Sequence, residues 1–160
     1  MDIKLVQVST PSESNIVIGQ THFIKSIEDL YEVMATHASS AEFGIAFSEA
    51  SGPCLIRHDG NCEELERAAA DICMGIGAGH VFVLIMRKAY PISVLNAIKS
   101  VQEVCNVFCA TANPLWVVVA EAEGKRGVLG VIDGDAPKGV ESDAERESRK
   151  AFLRRIGYKR

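Results

Sequence analysis

Hydrophobic and polar positions alternate from Lys4 to Ser9, the pattern of a half-buried strand. A second apolar run, Asn15 to Gly19, ends in the polar cluster Gln20-Thr21-His22. The period then changes. Ser26, with Asp29 three residues on, predicts a helix start, and Ile27, Leu30, Tyr31 and Met34 follow at helical spacing. Phe43 to Ser48 and Cys54 to His58 read as strands around the turn Glu49-Ala50-Ser51-Gly52-Pro53, so they can pair as a hairpin. Asn61 and Glu64 predict a second helix start, with a stripe of Leu65, Ala68, Ala69, Ile72 and Ile76, and Gly77 and Gly79 end it.

Val81 to Met86 is apolar without a break, as in a strand covered on both faces. Pro91 opens a further helix whose Val94, Leu95 and Ile98 point inward, and Val104 to Ala110 is the next strand. Leu115–Ala120 and Gly127–Ile132 flank the hairpin loop Glu123-Gly124-Lys125-Arg126. Ser142 and Glu145 start a charged C-terminal helix over about 142–157, anchored by Phe152 and Ile156. The order strand–helix–strand–helix–strand from 54 to 110 predicts three parallel strands joined by right-handed crossovers. With hairpins adding antiparallel strands, the expected class is α/β: a three-layer α/β/α sandwich with a mixed, partly parallel sheet in a single domain over 1–160.

Composition narrows the function classes. The 160 residues are 48% hydrophobic and 24% charged, which suits one globular core. No apolar run approaches the ~18 residues that span a bilayer, and no secretory signal is visible after Met1. The expectation is therefore a cytoplasmic protein with no membrane partner. Five cysteines without a Cys-x-x-Cys pair read as reduced thiols, and Cys105 and Cys109 are expected to point the same way along a strand. No zinc-type spacing occurs, so no metal site is assigned. Residues 1–145 carry 10 basic and 20 acidic side chains, −10, whereas 146–160 carry 7 and 1, +6. The acidic body argues against nucleic acid as the main partner. The basic end reads as a solvated helix face or an intersubunit contact.

If the strands at 54–58, 81–86 and 104–110 run parallel, their C-terminal ends share one edge, where ligands bind in such sheets. That edge receives His58-Asp59-Gly60-Asn61, Arg87-Lys88-Ala89-Tyr90 and Thr111-Ala112-Asn113. Tyr90 can stack on a ring, and the Asn113 amide can both donate to and accept from a base edge. The same residues also make ordinary turns and caps. His80 lies at the opposite end of its strand and by itself reads as a hydrogen-bonded structural histidine. Gln20-Thr21-His22 precede a helix whose N-terminus favours anions, and His37 sits where a helix dipole favours a cation. Gly75-Ile76-Gly77-Ala78-Gly79 follows a helix instead of opening one, which makes it a C-cap and not a phosphate loop. Asp133 and Asp135 end a strand, where they can bind a metal, act as a base or simply be solvated.

Several long segments resemble one family. They are Asn15–Lys25 with Glu28-Asp29-Leu30-Tyr31, Gly77-Ala78-Gly79-His80, Tyr90–Lys99, Val104-Cys105, Cys109–Pro114 and Gly127–Gly134. Together they resemble the small archaeal and bacterial adenosine-specific kinases over nearly the whole chain. The resemblance implies a three-layer α/β fold, binding of adenosine and AMP, a phosphate-carrying histidine and a homo-oligomer, taken here as a trimer or hexamer. His80, His58 and His22 are the candidate phosphate acceptors. Tyr90, Asn96, Thr111, Asn113, Gln20, Lys25 and Asp133 are the candidate ligand-binding residues. The chain lacks a P-loop, and His80 stands where the sugar-kinase Gly-Ala-Gly-Asp turn has its aspartate. No cofactor is specified; a phosphoryl transfer would call for magnesium. Two expectations stand: a phosphotransferase acting through a phosphohistidine, or a non-catalytic nucleoside-sensing module.

Overall fold

The computed structural model describes residues 1–160. Its elements in chain order are β1 (Asp2–Val8), β2 (Asn15–Thr21), α1 (Ser26–His37), β3 (Glu42–Ser48), β4 (Ile56–Gly60), α2 (Glu63–Ile76), β5 (Val81–Arg87), α3 (Pro91–Lys99), β6 (Val104–Thr111), β7 (Leu115–Ala122), β8 (Lys125–Asp133) and α4 (Asp143–Arg155). Five strands form one sheet in the order β4-β3-β5-β2-β6, and three form a second in the order β1-β7-β8. Every neighbouring pair in both sheets is antiparallel.

This overturns the expected three-layer α/β/α sandwich around one mixed, partly parallel sheet: the strands form two sheets, both wholly antiparallel. β3 lies between β4 and β5, and β2 lies between β5 and β6. The connections through α2 and α3 therefore each skip one place in the sheet that an earlier strand fills, as in a split βαβ unit, while the α1 connection from β2 to β3 spans the later β5. The unbroken apolar run of β5 reports that both its faces are covered; it does not report the direction of its neighbours. Because two antiparallel steps restore the original direction, β4, β5 and β6 still point the same way. Their C-terminal ends do share one edge, together with the start of β2 at Asn15 and of β3 at Glu42.

Alternate residues of β5 feed two cores. Phe82, Leu84 and Met86 pack with Val17, Phe43, Ile45, Phe47 and the apolar faces of α1 and α3. Val81, Val83 and Ile85 pack with Ile16, Ile18, the Leu65–Ile76 stripe of α2, and Val117 and Val119 of the small sheet. Phe47 and Phe82 are fully buried. Each such side chain contributes about 2–3 kcal/mol of burial free energy. α2 lies so close to β3 that a Cβ at Gly44 would come within 2.1 Å of the Glu66 backbone nitrogen. Only a residue without a side chain permits that approach.

Cap chemistry follows the sequence at some ends and departs from it at others. Gly77 closes α2 in the left-handed conformation (φ 64°), and Ser142 with Glu145 forms a full capping box on α4. Ser26 is not a cap but the first residue of α1, and its hydroxyl turns inward toward Thr21 and Glu103. Asn61 likewise leaves the cap of α2 to Cys62 and bonds instead to the backbone of Phe43 (2.7 Å) and Ala41 (2.8 Å). In both cases a tertiary partner outcompetes the local backbone for the side chain. The five cysteines are free. Cys105 is exposed and Cys109 buried, with a register shift between β2 and β6 intervening.

Candidate functional site

The predicted site residues fall into two groups at opposite edges of the five-stranded sheet. The near edge gathers the C-terminal ends of β5 and β6 and the start of β2. A pocket of about 630 Å³ opens there, lined by Asn15, Tyr90-Pro91-Ile92, Ala110-Thr111-Ala112, and Phe152, Ile156 and Tyr158 from the C-terminal segment. Tyr90 and Ile92 are exposed because Pro91 starts α3 and leaves them on the rim. Thr111 is buried and donates through Oγ1 to Asp133 Oδ1 at 2.7 Å. Asn113 Nδ2 donates to the same oxygen at 3.1 Å. Asp133 is thus a brace between β6 and β8. Its Oδ1 is engaged, and Asn113 keeps its own carbonyl oxygen as a free acceptor.

The far edge gathers the end of β2, the start of β5 and the start of β6. Here His22 and His80 meet edge to face, with ring centroids 6.0 Å apart. His80 also stacks on Phe47 at 6.1 Å and 19°. Its backbone is held on both sides: its N–H donates to Ser48 O and its carbonyl accepts from Thr21 N, both at 2.8 Å. Those bonds stabilise a positive φ of 61°, a conformation that costs a non-glycine residue about 1 kcal/mol or more. His22 N donates to Glu103 O at 2.8 Å. The Glu103 carboxylate is buried, accepts from Ser26 Oγ at 3.1 Å and pairs with Lys25 Nζ at 3.2 Å. Lys25 also pairs with Asp29. Burial works to raise the Asp29 carboxyl, but its bond to the Lys25 ammonium outweighs that and holds it below the usual range. Its bonds to Asp29 and Glu103 raise the Lys25 ammonium.

The structure therefore brings together His22 and His80, with Lys25 linked to them only through Glu103, and separately places Tyr90 and Thr111 in the pocket wall, with Asn113 and Asp133 bonded to one another and to Thr111 outside the lining. Gln20 is exposed on β2 just before the histidine edge. Two expected site residues join neither group. His58 lies on the edge strand β4, three strand spacings from Asn15, roughly 14 Å. Its Nδ1 faces Glu66 Oε1 at 2.6 Å. Asn96 is exposed on α3 and does not line the pocket. Sequence reasoning missed Glu103, a lone acidic residue between two elements. It also missed the pocket role of Phe152 and Ile156, although their spacing on an otherwise charged helix was a usable signal.

Comparison with known proteins assigns this arrangement to a family. The model of the adenosine specific kinase family matches residues 6–159. The chain belongs to the adenosine-specific kinase family. A similar solved structure is that of the PH1918 protein from Pyrococcus horikoshii OT3, 42% identical, with a TM-score of 0.95. The match covers 99% of this chain and 98% of that one. Among curated proteins none matches. Family membership carries an adenosine-related function. No helix is long and apolar enough to cross a membrane.

A kinase of this family would call for magnesium. No group of three or more His, Cys, Asp or Glu side chains is placed to hold a metal ion. Glu103 is committed to Lys25 and Ser26, and Asp133 to Thr111 and Asn113. The residues present form no protein-only cage for a resident magnesium ion.

Proposed function

We propose that this kinase-family chain binds adenosine or AMP in the near-edge pocket and accepts a phosphoryl group on His22 or His80. The observation that carries the binding site is the 630 Å³ apolar pocket, whose size and aromatic rim suit a purine nucleoside. Tyr90 stacks on the base; Asn113, which shares the Asp133 oxygen with the pocket residue Thr111 but lies outside the lining, offers its free carbonyl to an amino group at the pocket's margin. The histidine reading is supported by the meeting of two imidazoles from separate matched segments, one of them, His80, on a strained backbone. In the transfer step a ring nitrogen attacks phosphorus, the bond from phosphorus to the donor's bridging oxygen breaks, and the donor leaves with that electron pair.

Titration calorimetry tests the pocket. Adenosine and AMP should both bind, and Tyr90→Ala should weaken both by about tenfold or more, in line with stacking worth roughly 1–3 kcal/mol. Absence of heat with either ligand at millimolar concentration overturns the reading. Labelling with a phosphoryl donor tests the histidines. Acid-labile, base-stable phosphate should disappear in a His22→Ala, His80→Ala double variant and persist in His37→Ala; persistence in the double variant removes this pair.

A second reading, a nucleoside-sensing module without turnover, draws support from the distance between the two edges. β5 alone has seven residues between His80 and the Tyr90 loop, about 23 Å at roughly 3.3 Å per residue. A phosphohistidine at one edge cannot reach a nucleoside at the other within one chain. Single-turnover transfer from labelled protein to adenosine separates the two readings.

We also propose a homo-oligomer, a trimer or hexamer. Ile3, Leu5, Leu129 and Ile132 are exposed on the three-stranded sheet, whose outer face by register also includes Trp116 and Val118. The basic C-terminal segment has an acidic body to meet on a second copy. Light scattering at micromolar concentration tests this, and a monomer overturns it.

A further inference from the structure

The near-edge pocket has two walls of different character. One belongs to the sheet and carries Tyr90, Ile92 and Thr111; the other is the C-terminal segment, with Phe152, Ile156 and Tyr158. The way α4 ends shapes the second wall. Gly157 adopts φ 83°, its N–H donates to Arg154 O at 3.0 Å, and Tyr158 N reaches back to Leu153 O at 3.0 Å. This is a Schellman C-cap, which needs a residue at ease in the left-handed region. It folds Tyr158 back beside Phe152 and Ile156, so Lys159 and Arg160 leave the chain at the pocket rim.

Charge is distributed unevenly around this rim. The body's cations on the same edge are already neutralised: Arg87 grips Glu64 with two bonds of 2.7 and 2.9 Å, and Lys88 pairs with Glu42. On α4 the cations remote from the pocket are paired too, Arg146 and Arg149 with Glu141 and Lys150 with Glu147. Arg154, Arg155, Lys159 and Arg160 form no ion pair, but Arg154 donates to the Lys150 carbonyl oxygen at 3.0 Å. The Arg155 guanidinium instead lies 5.4 Å from the centre of the Phe152 ring. Arg155 thus lies against a ring that lines the cavity, and Lys159 and Arg160 follow directly on Tyr158, which lines it too.

We propose that Arg155, Lys159 and Arg160 read the phosphate of the bound ligand, so that the C-terminal segment selects a nucleoside monophosphate over the uncharged nucleoside. The inference rests on the pocket reading above. A flat ring fills the aromatic cavity, and an anionic group on the same molecule meets the cations that lack a partner. Guanidinium and ammonium groups bind phosphate oxygens through charge-assisted bonds. The competing account is that these cations only complement the C-terminal dipole of α4.

Calorimetry on the full chain and on an Arg155→Gln, Lys159→Gln, Arg160→Gln variant decides between them. The wild-type chain should bind AMP roughly tenfold more tightly than adenosine, about 1.4 kcal/mol shared among three exposed charge contacts. The variant should hold adenosine as the wild type does and lose that preference, and added salt should erode it in the wild type. Undiminished AMP binding in the variant, or equal weakening of both ligands, overturns the inference while leaving the pocket in place. Failure of the wild type to bind either ligand overturns the pocket reading itself. Because all three side chains are exposed, the thermal midpoint of the variant should match that of the wild type, and Arg155→Gln alone gives an independent smaller step.

Discussion

The two edges of the central sheet are built from the same strands and differ in almost every other respect. At the far edge, hydrogen bonds between distant segments tie the histidines down. Glu103, from the stretch before β6, gathers Ser26 and Lys25 by its carboxylate and His22 by its carbonyl. At the near edge the pocket depends on α4, a helix with no buried residue that leans on the body through half-exposed aromatic and apolar side chains. The far edge is therefore a preorganised polar site, suited to holding an imidazole in one orientation. The near edge is a hinged apolar one, suited to admitting and releasing a flat ligand. Rigid, water-poor polar arrangements serve chemistry, whereas loosely packed elements are drawn into binding and release.

The sharpest way to break this comparison is to remove the keystone of each edge. Glu103→Ala should destabilise the chain by about 3 kcal/mol, because the buried carboxylate that joins Lys25 and Ser26 is lost and a cavity replaces it. Truncation after Glu141, which removes α4, should change stability by less than about 1 kcal/mol, since no residue of that helix is buried. Urea unfolding of both variants measures the difference. Equal losses would erase the contrast between a built edge and an attached one.

A pH series gives a smaller effect confined to the far edge. Asp29 is held below its ordinary 3.8, so its contribution is present above that value and fades as pH falls below it. Lys25 is held above its ordinary 10.5, so its contribution is present below that value and fades as pH rises beyond it. The stability difference between wild type and Lys25→Met should be flat between these limits and shrink outside them. Thermal midpoints from pH 3 to 11 read it; a difference that varies across the neutral range would contradict the ion-pair account.

The smallest expected effect concerns thiol reactivity and leaves both edges intact. Burial pushes Cys73 up to about 12 and Cys109 up to about 11. Cys54 and Cys105 are exposed. Alkylation of the folded protein at pH 8 should modify Cys54 and Cys105 first and leave Cys73 and Cys109 untouched until unfolding. Early modification of Cys109 would show that the near half of β6 opens more readily than its packing implies.

Local pattern determined the elements themselves. The apolar stripe of α2 with its closing Gly77, the capping box at Ser142 and the both-faces-buried run of β5 all follow from short-range rules, because helix period, cap geometry and burial act over a few residues. The shared edge for the ends of β4, β5 and β6 was also legible, although for a reason the sequence does not contain. Strand order and direction were decided only in three dimensions. β2 and β3 enter the sheet between strands that come later in the chain, and nothing local marks a strand for its neighbour. Ser26 and Asn61 looked like caps because their side chains compete well for local backbone; Glu103, Thr21, Phe43 and Ala41 compete better, and they are near only after folding. The meeting of His22 with His80, the isolation of His58 and the closing of a pocket by Tyr158 belong to the same class. Each depends on contacts between residues tens of positions apart, which are set by how the two cores pack and not by any residue's own neighbourhood.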